Sequence, residues 1–475
     1  MVLGIIVVAV IATIFVVRAV ESLYGPPLSL WHTYVPDEMT VAEMDTADWD
    51  AYRAAEEGLF QSVHDNVTAK LPPSDHDDHN RYYEGAAVYP GNFAEDFNRS
   101  FILMPGGPVR GAAVFLHGLT DAPYSLRHVA ELYRDRGFVA VVPRMPGHGT
   151  VPAGLTEANW EDWMAATRLA VRTAVARAGG DVPLHVVGYS NGGALAVKYT
   201  LDALADERLA RVDRVVLFSP MIGVTRFARF AGLAGWPAIF PPFVKAAWLG
   251  IVPEYNPFKY NSFPVHAGRE SFLLVDALRT DIEAAVESGR IGYMPPVLAF
   301  QSAVDFTVST QAVATGLFDR LPANGSELVL FDVNRTANVG LLLRNRAKNA
   351  VAATLPPAPR NYRATVIGNA TPESAAVVAR SVEAGAADET VAPLGVDYPR
   401  DVYSLSHIAM PFPPWDSLYG AAPAPPAEFG ISLGDISTRG ENGALIVGLD
   451  TLLRNSSNPF YAYVAERIDE VFAAP

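Results

Sequence analysis

Apolar segments of strand length alternate with longer amphipathic segments in the middle of the chain. Strands are predicted over 100–104, 111–116, 138–142 and 184–187, and helices over 126–133 and 159–178. The short, continuously apolar segments are typical of buried strands, and apolar residues recur at helical spacing between them. Strands that alternate with helices in this way build a mostly parallel sheet with helices on both faces. We therefore predict an α/β fold whose catalytic groups lie at the carboxyl ends of the strands.

The first 20 residues form a separate apolar unit. Residues 2–17 are apolar except for Thr13, and Arg18 follows. Such a segment can span a bilayer if Arg18 extends towards the lipid surface. A cleaved signal peptide is the alternative, because Ala19 is small, although no basic residue precedes the run. We favour an uncleaved anchor over 1–20 with an extracytoplasmic catalytic domain, whereas cleavage would give a secreted or periplasmic protein.

Residues 21–98 are predicted to form an N-terminal helical extension. Between 40 and 70, apolar positions fall loosely at helical spacing with acidic residues between them. The run Asp75-His76-Asp77-Asp78-His79 contains residue types that bind metals, but it lies in a connector rich in proline and aspartate. We interpret it as a solvated loop. At the other end of the chain, 461–472 is predicted to form a closing helix.

The composition excludes several functions. The net charge is −15 and no basic run occurs, which argues against a nucleic-acid partner. The absence of cysteine excludes a disulfide scaffold, a thiolate nucleophile and cysteine-bound metals. The sequence has no glycine-rich phosphate loop and no metal motif, so neither a cofactor nor a metal ion is predicted.

The segment Gly188-Tyr189-Ser190-Asn191-Gly192 follows the fourth predicted strand and precedes a helix of small residues. A Gly-x-Ser-x-Gly sequence between a strand and a helix is the pattern of a nucleophile elbow. The glycines remove Cβ atoms that would collide in so sharp a turn. Ser190 is therefore the candidate nucleophile, and the free N–H of Asn191 at the start of the helix could stabilise an oxyanion.

Two further motifs follow earlier strands. They are His117-Gly118-Leu119-Thr120-Asp121 and Pro146-Gly147-His148-Gly149-Thr150. Together with the elbow they resemble the α/β-hydrolase superfamily, and within it the branch of monoacylglycerol lipases, lysophospholipases and serine aminopeptidases. The resemblance implies an α/β-hydrolase domain over 99–475. It also implies that the amide of Leu119 is a second oxyanion donor beside that of Asn191, and that the histidines of the two motifs are structural.

The order of the residues along the chain restricts the choice of the base. In this superfamily the nucleophile is followed by an acid and then by a histidine. His266 and His407 are the two histidines after Ser190, and His266 lies in a segment that we interpret as an insertion. His407 is therefore the predicted base.

Two aspartates are candidates for the acid. Asp305 follows a predicted strand over 296–301, and Asp332 follows the apolar segment 328–331. The acid would accept the Nδ1 proton of His407, fix its tautomer and stabilise the imidazolium. We favour Asp305, whose position resembles the acid loop of the superfamily, and keep Asp332 as the alternative.

Two insertions interrupt the predicted hydrolase domain. Residues 221–290, approximately, are aromatic and apolar, and the resemblance implies that they form a cap that suits an acyl chain. Residues 334–399, approximately, separate His407 from the strand that precedes it in relatives. Within them a strand is predicted over 364–368, and Thr371-Pro372-Glu373 carries a capping residue and a first-turn proline that predict the start of a helix.

The predicted function is that of a serine hydrolase. It would cleave carboxylic esters of apolar acyl chains through an acyl-enzyme on Ser190, as an esterase, lipase or lysophospholipase does. The expected partner is a small-molecule or lipid ester in or near a membrane, such as a lysolipid or monoacylglycerol. An aminopeptidase or amidase that uses the same triad is the alternative. A membrane-tethered binding protein without turnover is a third hypothesis, which a complete set of Ser, Asp and His disfavours.

Overall fold

A ten-stranded sheet forms the centre of the computed structural model, which describes residues 2–223, 235–425, 428–434, 444–445 and 454–473. The strands in chain order are β1 (Phe101–Leu103), β2 (Gly111–Leu116), β3 (Phe138–Val142), β4 (Leu184–Tyr189), β5 (Arg214–Phe218), β6 (Trp248–Gly250), β7 (Phe263–Pro264), β8 (Val297–Ser302), β9 (Glu327–Phe331), β10 (Arg363–Asn369), β11 (Ala376–Val382), β12 (Glu389–Asp397), β13 (Ser404–Leu405) and β14 (Arg454–Asn455).

The sheet has the strand order β1-β3-β2-β4-β5-β8-β9-β10-β11-β12. Neighbouring strands from β3 to β10 run parallel. Strands β1, β11 and β12 run antiparallel to their neighbours. Two small pairs, β6 with β7 and β13 with β14, lie outside this sheet. The carboxyl ends of the parallel strands therefore meet at one edge, where the predicted site residues follow β2, β4 and β8.

Helices cover both faces of the sheet. Among the described residues the α-helices in chain order are α1 (Val2–Tyr24), α2 (Leu30–Thr33), α3 (Val41–Thr46), α4 (Trp49–Asn66), α5 (Arg127–Asp135), α6 (Trp160–Ala178), α7 (Asn191–Ala205), α8 (Val265–Glu287), α9 (Asn345–Lys348), α10 (Ala350–Thr354) and α11 (Tyr461–Ala473). Side chains alternate along β2, so that Val114 and Phe115 belong to different apolar clusters. Helices α6, α7 and α8 contribute to the first cluster, and α5 and α11 to the second. The predicted α/β fold is confirmed.

The N-terminal extension contains α2, α3 and α4, and short 3₁₀ segments follow α4. Helix α3 packs on α6 of the hydrolase body. Within the described part of the chain, no helix is long and apolar enough to cross a membrane. The side chains of residues 1–11, which form more than half of the predicted anchor, lie outside the described residues. In the loop predicted at 75–79, all residues but Asp75 are exposed.

A buried network of ion pairs joins the extension to the loop after β3. Both terminal nitrogens of the buried Arg144 donate to Glu38, each at 2.7 Å, and its Nε donates to Glu56 at 3.3 Å. Glu56 also accepts bonds from the amide and the hydroxyl of Ser100, at 3.0 and 2.7 Å. The amide of Gly147 donates to Glu38 at 2.7 Å. Because a buried charge is stable only with such partners, the extension is an integral part of the hydrolase body.

Replacing Glu56 by alanine is expected to lower the free energy of unfolding by about 2–3 kcal/mol. The amide and hydroxyl of Ser100 and the Nε of Arg144 would lose a buried acceptor. The matched control is Glu57→Ala, because Glu57 also lies in the middle of α4 but its side chain is 67% exposed. There we expect a change within about 0.5 kcal/mol. Urea unfolding of the three proteins measures both values, and equal losses would contradict the structural role of Glu56.

The late insertion extends the main sheet through β10, β11 and β12. The strand predicted over 364–368 is confirmed as part of β10. The helix predicted at Thr371-Pro372-Glu373 is wrong, because the chain turns there and continues into β11. Capping preferences contribute little compared with the packing of a strand, and Val377 and Ala379 of β11 join the second apolar cluster.

Candidate active site

Ser190 lies in the turn between β4 and α7, where the backbone is strained. Its φ angle is +54°, a left-handed value that residues with side chains rarely adopt. A Cβ atom at Gly188 would lie 2.3 Å from the carbonyl oxygen of Gly192, and one at Gly192 would lie 1.9 Å from that of Leu116. Both positions therefore require glycine, and the turn presents Ser190 at the carboxyl end of β4.

The loop after β2 lies against the predicted nucleophile. A Cβ atom at Gly118 would be 3.2 Å from the Cβ atom of Ser190. The loop is closed by a hydrogen bond from the amide of Asp121 to the carbonyl of Gly118 at 3.2 Å, in which the amide of Leu119 takes no part. Asn191 begins α7, and amides in the first turn of a helix have no partner within it. The two predicted oxyanion donors thus belong to segments that adjoin Ser190.

His117 supports the same loop as a neutral imidazole. Its Nδ1 lies 2.9 Å from the carbonyl oxygen of Gly118, and its Nε2 accepts the amide of Met145 at 3.0 Å. Burial lowers the pKa of His117 to about 4. Nδ1 therefore carries the proton near neutral pH and Nε2 remains an acceptor. These bonds agree with the structural role that the resemblance implied.

Asp305 and His407 meet at the carboxyl end of β8. The Nδ1 of His407 lies 2.8 Å from Oδ2 of Asp305. Gln301 donates to the same oxygen at 2.9 Å, and the amides of Thr307 and Val308 donate to Oδ1 at 2.9 and 3.1 Å. The side chain of Asp305 is fully buried. These donors hold the carboxylate in one orientation, with Oδ2 directed at the imidazole.

The charge state of Asp305 follows from its surroundings. Burial by itself raises the pKa of the carboxyl group, but the charge and hydrogen bond of His407 oppose this effect. The amide of Val308 and the positive charge of Arg454 act in the same direction as His407. The net result is a pKa below the ordinary value, so Asp305 is ionised over the range in which an imidazole titrates.

His407 follows the two-residue strand β13, which is not part of the main sheet. Within the described residues, the partner of β13 is β14 near the C-terminus, and the two strands run parallel. The ring of His407 lies 5.5 Å from that of Tyr189, the residue before Ser190. The structure thus brings His407 to the strand that carries the predicted nucleophile.

Asp332, the alternative acid, lies in a different environment. Its carboxylate accepts the amide of Val333 at 2.7 Å and pairs with Arg335 at 3.0 Å. The hydrogen bond to His407 is made by Asp305 instead.

Sequence patterns do not reveal two other residues near the Asp305–His407 pair, Gln301 and Arg454. The only local signal is that Gln301 is a polar residue in the apolar strand β8.

The described part of the predicted cap presents apolar side chains to solvent and contacts α1. The ring of Phe15 lies 6.4 Å from that of Phe240, and Arg18 donates to the carbonyls of Ala246 and Trp248. The exposed apolar surface consists of Val16, Val17, Val20, Leu23 and Tyr24 of α1 and of Trp236, Ile239, Phe240, Val244, Leu249 and Val252 of the cap. The apolar positions Phe227, Phe230 and Leu233 of the predicted cap lie outside the described residues.

The fold and the site define the class of protein. A mostly parallel sheet with helices on both faces, a strained serine after β4 and a late histidine bonded to an acid after β8 are the elements of a serine hydrolase with the α/β-hydrolase fold. Residues 107–253 match the family model of the serine aminopeptidases, S33. The fold and this match agree with the resemblance to the α/β-hydrolase superfamily, in the branch of monoacylglycerol lipases, lysophospholipases and serine aminopeptidases, that the motifs carry.

The chain is 32% identical over 91 residues to the thermostable monoacylglycerol lipase of Bacillus sp. (strain H-257). The match covers 19% of this chain and 34% of the lipase, so the chain spans about a third of the length of this curated relative. A solved structure of the metagenome-derived lipolytic enzymes LipS and LipT is 21% identical, with 50% of this chain and 88% of that chain covered and a TM-score of 0.40. A solved structure of a soluble variant of monoglyceride lipase from Saccharomyces cerevisiae is 15% identical, with 49% of this chain and 81% of that chain covered and a TM-score of 0.37.

Proposed function

We propose that the protein hydrolyses carboxylic esters of apolar acyl chains through an acyl-enzyme on Ser190. The observation that supports this most directly is the 2.8 Å hydrogen bond between Asp305 and His407, beside the strained turn that carries Ser190. A buried acid, an imidazole and a serine in this relation are the groups that activate a hydroxyl for attack on a carbonyl.

In the proposed reaction, His407 takes the proton of Ser190 while the hydroxyl oxygen attacks the acyl carbonyl. The carboxylate of Asp305 keeps the Nδ1 proton of His407 in place and stabilises the imidazolium. The amides of Leu119 and Asn191 donate to the oxyanion of the tetrahedral intermediate. The imidazolium then protonates the leaving alcohol. A water molecule, activated by His407, attacks the acyl-enzyme and releases the carboxylic acid, which restores Ser190.

The exposed apolar surface supports a lipid ester as the substrate. Large contiguous apolar patches are uncommon on soluble proteins and mark sites that bind lipids or other proteins. Here α1 and the predicted cap are in contact, and both expose apolar side chains, among them Trp236 and Phe240, with the basic residues Arg18 and Lys245 beside them. Aromatic rings and basic side chains together suit a lipid–water interface.

The cap gives less support to an aminopeptidase, which needs a carboxylate to bind the free amine of its substrate. In the described part of the cap, the buried carboxylates are those of Glu254 and Glu270. Glu254 accepts the amides of Asn261 and Ser262 at 2.8 and 2.7 Å, and Glu270 pairs with Arg269 at 2.6 Å. Because both acids already have partners within the protein, an ester is the favoured substrate.

We also propose that residues 1–20 tether the protein to a membrane, with the catalytic domain on the extracytoplasmic side. The apolar run at 2–17 and the exposed apolar side chains at the end of α1 support this proposal. Fractionation of full-length protein with a C-terminal tag tests it. Tethering requires the full-length species in the membrane fraction, whereas a shortened species in the periplasm would establish signal cleavage instead.

Hydrolysis of nitrophenyl esters from acetate to palmitate by the detergent-solubilised protein tests the proposed function. We expect turnover that rises with acyl length, together with covalent labelling by a fluorophosphonate probe. Aminoacyl nitroanilides serve as competing substrates, and their preferential cleavage would favour the aminopeptidase. Failure to cleave either class or to react with the probe would favour the binding protein.

Substitutions at two exposed positions distinguish the role of the apolar surface from that of the catalytic groups. Ile239 belongs to this surface and Tyr293 does not, and both side chains are 78% exposed. Ile239→Glu is expected to slow cleavage of a long-chain ester held in lipid vesicles, while cleavage of the soluble acetate ester is unchanged. Tyr293→Glu is the matched control and is expected to affect neither rate. Equal rates for both variants on the vesicle substrate would contradict the role of the surface.

A further inference from the structure

The C-terminal tail holds the loop that carries His407. Strand β14 pairs with β13, and the carbonyl of Asn455 accepts the amide and the hydroxyl of Ser406 at 3.3 and 2.6 Å. Further along, the amide of Asn458 donates to the carbonyl of Phe412 at 2.7 Å. The histidine loop is therefore bonded to the tail on both sides of His407. These bonds replace the support that a strand of the main sheet would give.

Arg454, the first residue of β14, is fully buried and connects two loops. It donates to the hydroxyl of Ser302 at 3.2 Å, and this hydroxyl donates to the carbonyl of Leu405 at 3.1 Å, two residues before His407. Ser302 ends β8, and its carbonyl accepts the amide of Asp305 at 3.2 Å. Through one hydroxyl group, Arg454 thus links the segment that carries the acid to the segment that carries the base.

The charge of Arg454 acts on the same pair. It favours the carboxylate of Asp305, and by Coulomb's law it opposes a second positive charge on His407. Two tyrosines also lie near Arg454. Its guanidinium is 5.5 Å from the ring of Tyr403, and burial and the charge of Asp332 raise the pKa of the Tyr398 hydroxyl, so Tyr398 remains neutral. Arg454 therefore favours the state in which Asp305 is ionised and His407 is neutral, and a neutral imidazole is what a general base requires.

We propose that Arg454 is a positioning residue for the Asp305–His407 pair. It sets the relative positions of the two loops and favours the protonation state in which His407 acts as a base. The inference rests on the proposed function, because it assigns Arg454 to the same reaction. It also accounts for a histidine that is held in place although the late insertion separates it from β9.

The test compares Arg454→Met and Arg454→Lys with the full-length wild type in the ester assay across pH. For Arg454→Met we expect kcat to fall by about 10- to 100-fold with KM little changed, since the pair loses its alignment. The acid limb of the profile of kcat/KM should move upward by about 0.5 pH unit or more, because His407 is protonated more easily without the neighbouring charge. Arg454→Lys keeps the charge and should return the acid limb towards the wild-type position.

Arg467→Met is the matched control. Arg467 also lies in the C-terminal tail and pairs with a buried acid, Glu327, at 2.5 Å, but it is on α11. We expect it to lower the melting temperature without moving the acid limb. The proposal would be overturned if Arg454→Met behaved like the wild type. It would also be overturned if Arg454→Met lost kcat uniformly across pH and Arg467→Met lost it to the same extent.

If Arg454→Met does not fold, Ser302→Ala provides a second test, because it breaks the link between the loops but keeps the charge of Arg454. This variant should have a lower kcat and an unchanged acid limb. Full activity of Ser302→Ala would overturn the positioning role.

A second readout does not need turnover. The proton that His407 shares with Asp305 is expected far downfield in the proton NMR spectrum, and its titration reports the pKa of His407 directly. An upward shift of this pKa in Arg454→Met supports the proposal, and an unchanged pKa counts against it. If the wild type shows this proton but cleaves no ester and does not react with the probe, the proposed function is refuted, whereas the role of Arg454 in positioning the Asp305–His407 pair is not.

Discussion

Replacing Ser190 by alanine is expected to lower kcat for ester hydrolysis by about 10⁴-fold or more and to abolish labelling by a fluorophosphonate probe. The variant would lack the hydroxyl oxygen to which the acyl group is attached in the proposed acyl-enzyme, while the backbone of the turn between β4 and α7 is kept. Nitrophenyl ester hydrolysis and gel detection of the labelled chain measure the two effects. His407→Ala should reduce turnover to a similar extent, because the nucleophile would lose its base.

Ser271→Ala is the control for the loss of a buried hydroxyl. Ser271 lies in α8 of the cap, where it donates to the carbonyl of Ala267 in the same helix at 2.9 Å. This variant is expected to keep both activity and labelling. Hydrolysis that persists in Ser190→Ala would show that the elbow is not the active site, and the proposed function would then be rejected.

Replacing Asp305 by asparagine is expected to lower kcat by about 10⁴-fold while the fold is preserved. The amides of Thr307 and Val308 both donate to Oδ1, so the oxygen of an asparagine side chain would face them. Its NH₂ group would then point at His407 and select the tautomer with the proton on Nε2. This nitrogen could no longer accept the proton of Ser190. Steady-state kinetics measure the loss, and the melting temperature reports on the fold.

Asp332→Asn is the matched control, since Asp332 also follows a strand of the same sheet. Its partners are the amide of Val333 and the side chain of Arg335. We expect this variant to keep most of the wild-type activity. A large loss for Asp332→Asn together with a small one for Asp305→Asn would reverse the assignment of the acid.

The central part of the sheet could be predicted because its signals are local. The strands from β2 to β4 are mostly apolar, which follows from burial on both faces. The predicted bounds of β2 and β3 are the observed ones, and β4 ends two residues later than predicted. The elbow was equally predictable, since Gly188 and Gly192 are required by contacts within a few residues of Ser190 and with the neighbouring strand. The family resemblance rested on such local motifs and is confirmed.

The late insertion was harder to interpret. Thr371-Pro372-Glu373 carries local preferences for the start of a helix, yet the chain turns there and forms β11. The free edge of β10 provides hydrogen bonds, and the apolar cluster on that face accepts the side chains of β11. Neither the edge nor the cluster exists until distant parts of the chain have packed.

The sequence by itself determined the α/β class and the strand-to-helix turn that carries Ser190, because these depend on periodicity and on glycine sterics. The order of acid and histidine is what the resemblance to the superfamily implied, and few histidines follow Ser190. Both Asp305 and Asp332 follow apolar strands, and only the tertiary structure shows that Asp305 is the one that bonds to His407. The same is true of Arg454, whose contacts come from β8 and from the segment before His407. A side chain that acts through distant partners leaves no pattern around its own position, so the packed chain alone reveals it.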